Sequence, residues 1–268
     1  MKVALIQICS TLNPSENIGK INHFIIKARQ EEPGLEAIFL PEVFYSMSDG
    51  TKPTPYLVEG ANEHFENIRA ISMNHSLYVL GGTAATKVGD KVINRNYNFS
   101  PSGELIGTYD KIHLFSVNLK GTEKNTIIDE ADVYTKGHDL KTINVNDFKV
   151  GLSICFDLRF PELYREYHKE NVDILSISSA FTVPTGKAHW EVLLRARAIE
   201  NQAYVIACDQ WGQHNKKLST YGHSMIIDPW GEVIANCEEG EGFACAELSM
   251  DKLNKIRTRM DVARQLPT

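Results

Sequence analysis

Paired cysteines are missing from this chain. Five are present, Cys9, Cys155, Cys208, Cys237 and Cys245. The number is odd and no two form a C-x-x-C pair, so neither a disulfide framework nor a thiolate zinc site has the spacing it needs. Free thiols in a reducing cytoplasm are the expectation. Long apolar runs are also missing, since none approaches the roughly 18 residues that a membrane helix requires. The opening stretch, MKVALIQICSTLNPSE, holds an apolar run of only about six residues and no small-residue cleavage site, and it reads as a strand rather than a secretion signal. Basic charge is scarce as well. With 28 Lys and Arg against 34 Asp and Glu, the net charge is −6, which argues against a nucleic-acid partner because phosphate binding needs a basic face. No Pro/Gly/Ser-rich or low-complexity stretch divides the chain, so residues 1–268 read as one domain.

What the chain does contain is a series of short apolar runs: VALIQI, AIFL, LYVLGG, VGLSIC, VDILSIS and AYVIAC. Each is rich in Val, Ile or Leu and bounded by polar or turn residues, as in strands covered by helices. Helical patterns alternate with them. NPSENIGKINHFIIKARQEE opens with Asn13 as N-cap and Pro14 at the first helical position, and Ile18, Ile21, Ile25 and Ala28 share one face. NEHFENIRAISMNH sets Phe65, Ile68 and Ile71 at three-residue steps, and GKAHWEVLLRARAIENQ sets Trp190, Leu193, Leu194 and Ala198 on one stripe. The β-α order implies an α/β class with mixed layers. Two segments, NYNFSPSGELIGTYDK and HSMIIDPWGEVIANC, read instead as hairpins with turn residues at their centres. A sandwich of two mixed sheets with helices outside accommodates both patterns.

Three residues carry potential chemistry. Cys155 stands where the apolar run FKVGLSIC gives way to FDLRFPE. A thiol at a strand's carboxyl end, just before a helix expected near Pro161, meets backbone N–H groups and positive partial charge that favour thiolate and oxyanion. A lone cysteine there is as readily a small apolar residue. A nucleophilic thiol needs a base, and none of the nine histidines has a spacing that singles it out; His113, His189 and His223 read as structural. Glu42, in AIFLPEVFYS, is a carboxyl among apolar neighbours, where desolvation raises its pKa toward that of a neutral-pH base. Lys111, in GTYDKIHLF, is an ammonium at another strand end, suited to stabilising a thiolate or oxyanion. Taken singly, Glu42 also fits a solvated loop and Lys111 a surface position.

Together, FLPE, YDKIHLF, SICFDLRFPELYR, SSAFTVPTGKAHWEVLLRARAIENQAYVIA and YGHSMIIDPWGEVIA resemble the nitrilase or carbon-nitrogen hydrolase superfamily along essentially the whole chain. The resemblance is strongest to its Nit branch, which holds deaminated-glutathione amidases and omega-amidases. It implies a four-layer αββα sandwich and a homodimer, with the helices after Cys155 and around Trp190 as candidate contact elements. It implies a catalytic set of Glu42, Lys111 and Cys155, with Glu130 (or its neighbour Asp129) as a second carboxylate, and an oxyanion held by Lys111 and the backbone N–H of Phe156. No metal or organic cofactor has a role in that scheme. Branch substrates are small amides that carry a carboxylate, so a cation near the pocket is expected, with Arg159, Arg195 and Arg197 as candidates. Phe181 and Tyr45 follow strand ends and are candidate pocket walls. Deaminated glutathione is the favoured substrate, ahead of α-keto acid amides and N-carbamoyl compounds; a catalytically idle scaffold is the non-enzymatic alternative. Departures from the family pattern include Asp110 where many relatives have Arg, Phe156 where many have Tyr, and the segment from Val117 to Val133.

Overall fold

The computed structural model of the chain describes residues 1–118, 127–216, 218–260 and 262; part of the divergent 117–133 segment therefore lies outside the described residues. Two large mixed sheets dominate. The first runs, in spatial order, Gly242–Glu247, Lys2–Gln7, Ala37–Phe39, Tyr78–Leu80, Lys91–Phe99 and Thr83–Val88, with Leu105–Asp110 also paired to Lys91–Phe99. The second runs Val233–Asn236, Met225–Ile227, Tyr204–Asp209, Ile174–Ser179, Phe148–Ile154 and Thr142–Val145. In each sheet the three central strands are parallel and the flanking ones antiparallel. The antiparallel flanks include both hairpins expected from their turn residues. Gly103 and Gly231 hold φ of +80° and +88° in the two turns, a left-handed backbone that a Cβ disfavours.

The strand Lys2–Gln7 explains the layering. Successive side chains alternate faces, and both faces of this strand are apolar. Val3 and Leu5 pack toward Val150, Leu152 and Ile154 of the second sheet. Ala4 and Ile6 pack toward helix α1 (Pro14–Glu31) and helix α2 (Glu63–His75), through Ile21, Ile25, Ile68 and Ile71. Helices α3 (Pro161–Lys169) and α4 (Val183–Asn201) cover the outer face of the second sheet with Leu163, Tyr164, Tyr167, Trp190, Leu194 and Ala198. The result is the αββα order. Trp190 and Leu194 are fully buried, so they are core residues rather than a contact surface. A fifth helix among the described residues, α5 (Met250–Arg259), lies at the strand ends remote from the site, where Arg257 binds Asp173 at 2.8 Å.

The Asn13 cap expected from the sequence starts α1, and a second asparagine, not anticipated, starts α2. The Asn13 side chain accepts the Ser15 N–H at 3.0 Å ahead of Pro14, and Asn62 accepts Phe65 N–H at 3.1 Å. Each such cap satisfies an otherwise orphaned donor and stabilises by about 1 kcal/mol.

Candidate active site

The carboxyl ends of strands from both sheets converge on one cavity. Glu42 follows Ala37–Phe39, Lys111 follows Leu105–Asp110, Cys155 follows Phe148–Ile154, and Phe181 follows Ile174–Ser179. All four line the same space, of about 190 Å³. That is below the usual range for drug-sized ligands and suits a small, linear molecule.

Cys155 is buried, and its φ of +48° is unusual for a side chain with a Cβ. It opens a 3₁₀ turn, Cys155–Arg159, and α3 begins only after it. The N–H groups closest to the sulfur in sequence are therefore those of the turn rather than of the helix expected there. The Ala180 backbone, on the neighbouring strand end, hydrogen-bonds the sulfur.

Glu42 and Lys111 are 4% and 2% exposed. Lys111 Nζ donates to Glu42 Oε1 at 2.8 Å and to Glu130 Oε2 at 2.7 Å. Asn94 Nδ2 bridges the same two carboxylates, reaching Glu42 Oε1 at 2.8 Å and Glu130 Oε1 at 3.2 Å. Glu130 is fixed further by the Phe115 N–H at 2.8 Å, and the Glu42 carbonyl by Gln210 Nε2 at 2.9 Å. Oε1 of Glu42 thus takes both donors, which leaves Oε2 free of them for proton exchange. The Cys155 thiol also hydrogen-bonds this carboxyl.

Charge balance sets the protonation pattern. Two carboxylates share one ammonium in a dry site. Burial raises the Glu42 pKa, Lys111 pulls it back down, and Glu130 adds to the rise. Burial disfavours the Lys111 ammonium, but Glu130, Glu42 and Cys155 more than offset this and hold it well above its ordinary value. Burial, reinforced by the nearby Glu42 charge, keeps the Cys155 thiol neutral at rest. The arrangement is a thiol in contact with a carboxyl of raised pKa, beside a permanent ammonium. Such a set can move a proton off sulfur and stabilise an anion formed next to it.

The other anticipated residues divide. Glu130, Asp129, Phe156, Phe181 and Arg159 line the cavity. Arg159 lies over the Phe156 and Phe181 rings at 5.6 and 5.4 Å, and its side-chain polar contact among the described residues is to His189 Nδ1 at 3.3 Å rather than to a carboxylate. Arg197 is instead buried against Glu200 and the Leu158 carbonyl, and Arg195 binds Glu191 and the Gly231 carbonyl. Tyr45 is a correction. It is 1% exposed and packs in the core beneath α1 and α2, with its hydroxyl 2.9 Å from His64 Nδ1 and 3.1 Å from Asn67 Nδ2. Val43, at φ +46°, lies between Glu42 and this buried ring and itself lines the cavity, which Tyr45 does not. Asn94, Tyr134 and Asp157 went unnoticed in the sequence. Asn94 sits in the middle of an edge-side strand, where nothing in the local pattern separates it from its neighbours Asn96 and Asn98.

Fold and site together define a hydrolase of the mixed α/β class. The profile of the carbon-nitrogen hydrolase family matches residues 2–258, and the chain belongs to that family. It is 36% identical over 262 residues to a deaminated glutathione amidase of Synechocystis, covering 96% of this chain and 94% of that protein. It is 31% identical over 264 residues to human omega-amidase NIT2, covering 98% and 94%. Among solved structures, the NitFhit protein of C. elegans superposes with a TM-score of 0.86 at 31% identity, over 99% of this chain and 64% of that longer one.

Proposed function

We propose that the chain is a single-domain amidase that hydrolyses a small, carboxylate-bearing amide through a thioester on Cys155, with deaminated glutathione as the favoured substrate. The observation that carries this reading is the convergence of Cys155, Glu42 and Lys111, all three buried, on one cavity. Glu42 takes the proton of Cys155, and the sulfur attacks the amide carbonyl carbon. The oxyanion forms beside the Lys111 ammonium and the Phe156 N–H. Glu42 returns its proton to the nitrogen, the C–N bond breaks, and ammonia leaves. The acid step is required because an amide anion is a very poor leaving group. Glu42 then deprotonates a water held by Glu130; hydroxide adds to the thioester, the C–S bond breaks, and the thiolate recovers its proton from Glu42.

Arg159 supports the carboxylate requirement, being a cavity-wall cation without a carboxylate partner among the described residues. A charge-assisted bond of about 1.5–3 kcal/mol corresponds to roughly tenfold to hundredfold in binding. The similarity to the Synechocystis enzyme favours deaminated glutathione, and that to human omega-amidase keeps α-ketoglutaramate as the second candidate. We further place the protein, as a homodimer, in a reducing cytoplasm, consistent with five free thiols. Among the described residues no helix is long and apolar enough to cross a membrane.

The test is ammonia release from deaminated glutathione, α-ketoglutaramate, an N-carbamoyl amino acid and an uncharged amide, by wild type, Cys155→Ser and Arg159→Met. Wild type should prefer a carboxylate-bearing amide and form an acyl adduct detectable by intact mass. Cys155→Ser should fold and release no ammonia, and Arg159→Met should raise KM for the charged substrates only. A Cys155→Ser protein that still turns over, or a wild type that turns over none of the four, overturns the reading.

A further inference from the structure

We propose that Asp157 is a positioning residue, a carboxylate clamp that locks the Lys111 segment onto the Cys155 turn and so sets the spacing between ammonium and sulfur. Asp157 lies outside the cavity wall and is fully buried. Its two oxygens accept four hydrogen bonds from two distant stretches of chain. Oδ2 accepts the Tyr109 hydroxyl at 2.7 Å and the Ile154 N–H at 2.9 Å. Oδ1 accepts the His113 N–H at 2.9 Å and faces His113 Nδ1 at 2.7 Å. Tyr109 and His113 bracket Lys111 two residues to either side, while Ile154 and Asp157 bracket Cys155. One side chain therefore grips both catalytic candidates from behind. The His113 ring is held as well, stacked on Phe160 at 3.6 Å, so the grip on the Lys111 side is rigid.

The need for such a clamp follows from the backbone. A non-glycine residue in the left-handed region costs of order 1–3 kcal/mol and persists only where its surroundings over-determine it. The bond from Asp157 to Ile154 N–H fixes the residue just before the strained Cys155. The side chain must be a carboxylate. Ile154 N and His113 N are backbone donors, one on each oxygen, so an amide in either orientation sets its NH₂ against a backbone N–H. The conservative change Asp157→Asn is therefore disruptive in a way that volume alone would not suggest.

This inference rests on Cys155 and Lys111 acting together as proposed above, and the test separates the two readings. Asp157→Asn, Tyr109→Phe and His113→Ala would be compared with wild type in kcat and KM per titratable Cys155, well below each variant's Tm. Alkylation of Cys155 by iodoacetamide would be followed against pH. A 1 Å misplacement costs on the order of a hundredfold, so Asp157→Asn should lose about ten- to hundredfold in kcat with KM within about twofold. The single-donor variants should lose less. The alkylation midpoint reports the groups that face the sulfur, Glu42, Lys111 and Glu130; it should move to higher pH as Lys111 drifts from the sulfur. This last readout holds even if no tested amide is a substrate. Unchanged kcat per thiol and an unmoved midpoint in Asp157→Asn would overturn the clamp, as would, should that variant not fold, wild-type values for both quantities in Tyr109→Phe and His113→Ala.

Discussion

Glu42 is asked to be a base in a place that resists ionisation. Its raised pKa places the acid limb of kcat/KM above the ordinary carboxylate value of about 4.3. The limb is where the protonated, inactive base gives way to the ionised one, so activity rises with pH through it. Asn94 tunes the same group. Its N–H bond to Glu42 Oε1 favours the charged form, although Asn94 Oδ1 is left buried without a partner among the described residues. Removing that donor in Asn94→Ala should move the acid limb to higher pH, because the charged form of Glu42 loses a hydrogen bond that the neutral form needs less. A pH–rate profile reads this directly. A limb that stays in place would mean that the Asn94 bond does not contribute to the ionisation of Glu42, which burial, Lys111 and Glu130 then set without it.

At the scale of elements, the site depends on how closely segments approach behind it. Gly137 donates its N–H to the Lys111 carbonyl at 2.7 Å, and a Cβ there would lie 2.3 Å from the Asp110 carbonyl oxygen. Because that neighbour is backbone, Gly137→Ala must push the Lys111 segment aside, at a cost of about 1–3 kcal/mol. The expected result is a lower Tm with a larger, at least tenfold, fall in kcat. Gly19, on α1 with nothing within 4 Å of its would-be Cβ, is the contrast. Gly19→Ala should stabilise by about 0.5–1 kcal/mol and leave kcat unchanged. Equal effects on kcat from the two changes would show that approach to Lys111 is not what matters.

This dependence on approach also explains what the sequence revealed. Glu42, Lys111 and Cys155 were visible as candidates because each stands at a strand end beside apolar residues, but what joined them into one set was the resemblance of FLPE, YDKIHLF and SICFDLRFPELYR to the carbon-nitrogen hydrolase family. Six of the strands, four of the helices and both hairpins were legible from changes of pattern along the chain. Asn94, Gly137 and Asp157 act through partners 26 to 52 residues away, as in the Asn94–Glu42, Gly137–Lys111 and Asp157–His113 contacts, and no local pattern encodes such pairings. Tyr45 was misjudged because standing just after a strand end was taken to place it at the cavity, whereas its ring is buried in the core with its hydroxyl on His64 and Asn67.

For the whole molecule, the surface left by the outer helix layer bears on assembly. With Trp190 and Leu194 inside, the apolar residues that α4 shows to solvent are others: Val192 is 70% exposed and Ile199 47%. They stand seven residues apart, two helical turns, and so share a face. Trp230, 58% exposed, joins them from the adjoining hairpin turn, which Arg195 ties to α4 through the Gly231 carbonyl at 2.9 Å and which brings Gly231 against Ile199. A tryptophan and two branched aliphatics exposed on neighbouring elements are what the dimer proposed above would be expected to bury. A second copy presenting the same face would bury it by a two-fold, self-complementary contact, which is the dimer proposed above. Sedimentation velocity at micromolar concentration should therefore give a dimer for wild type. Val192→Asp and Trp230→Asp should each shift the population to monomer with an unchanged circular dichroism spectrum, because a carboxylate buried at the centre of such a contact is left unpaired. A monomeric wild type would remove the dimer. A dimer that both substitutions leave intact would place its contact on some other face.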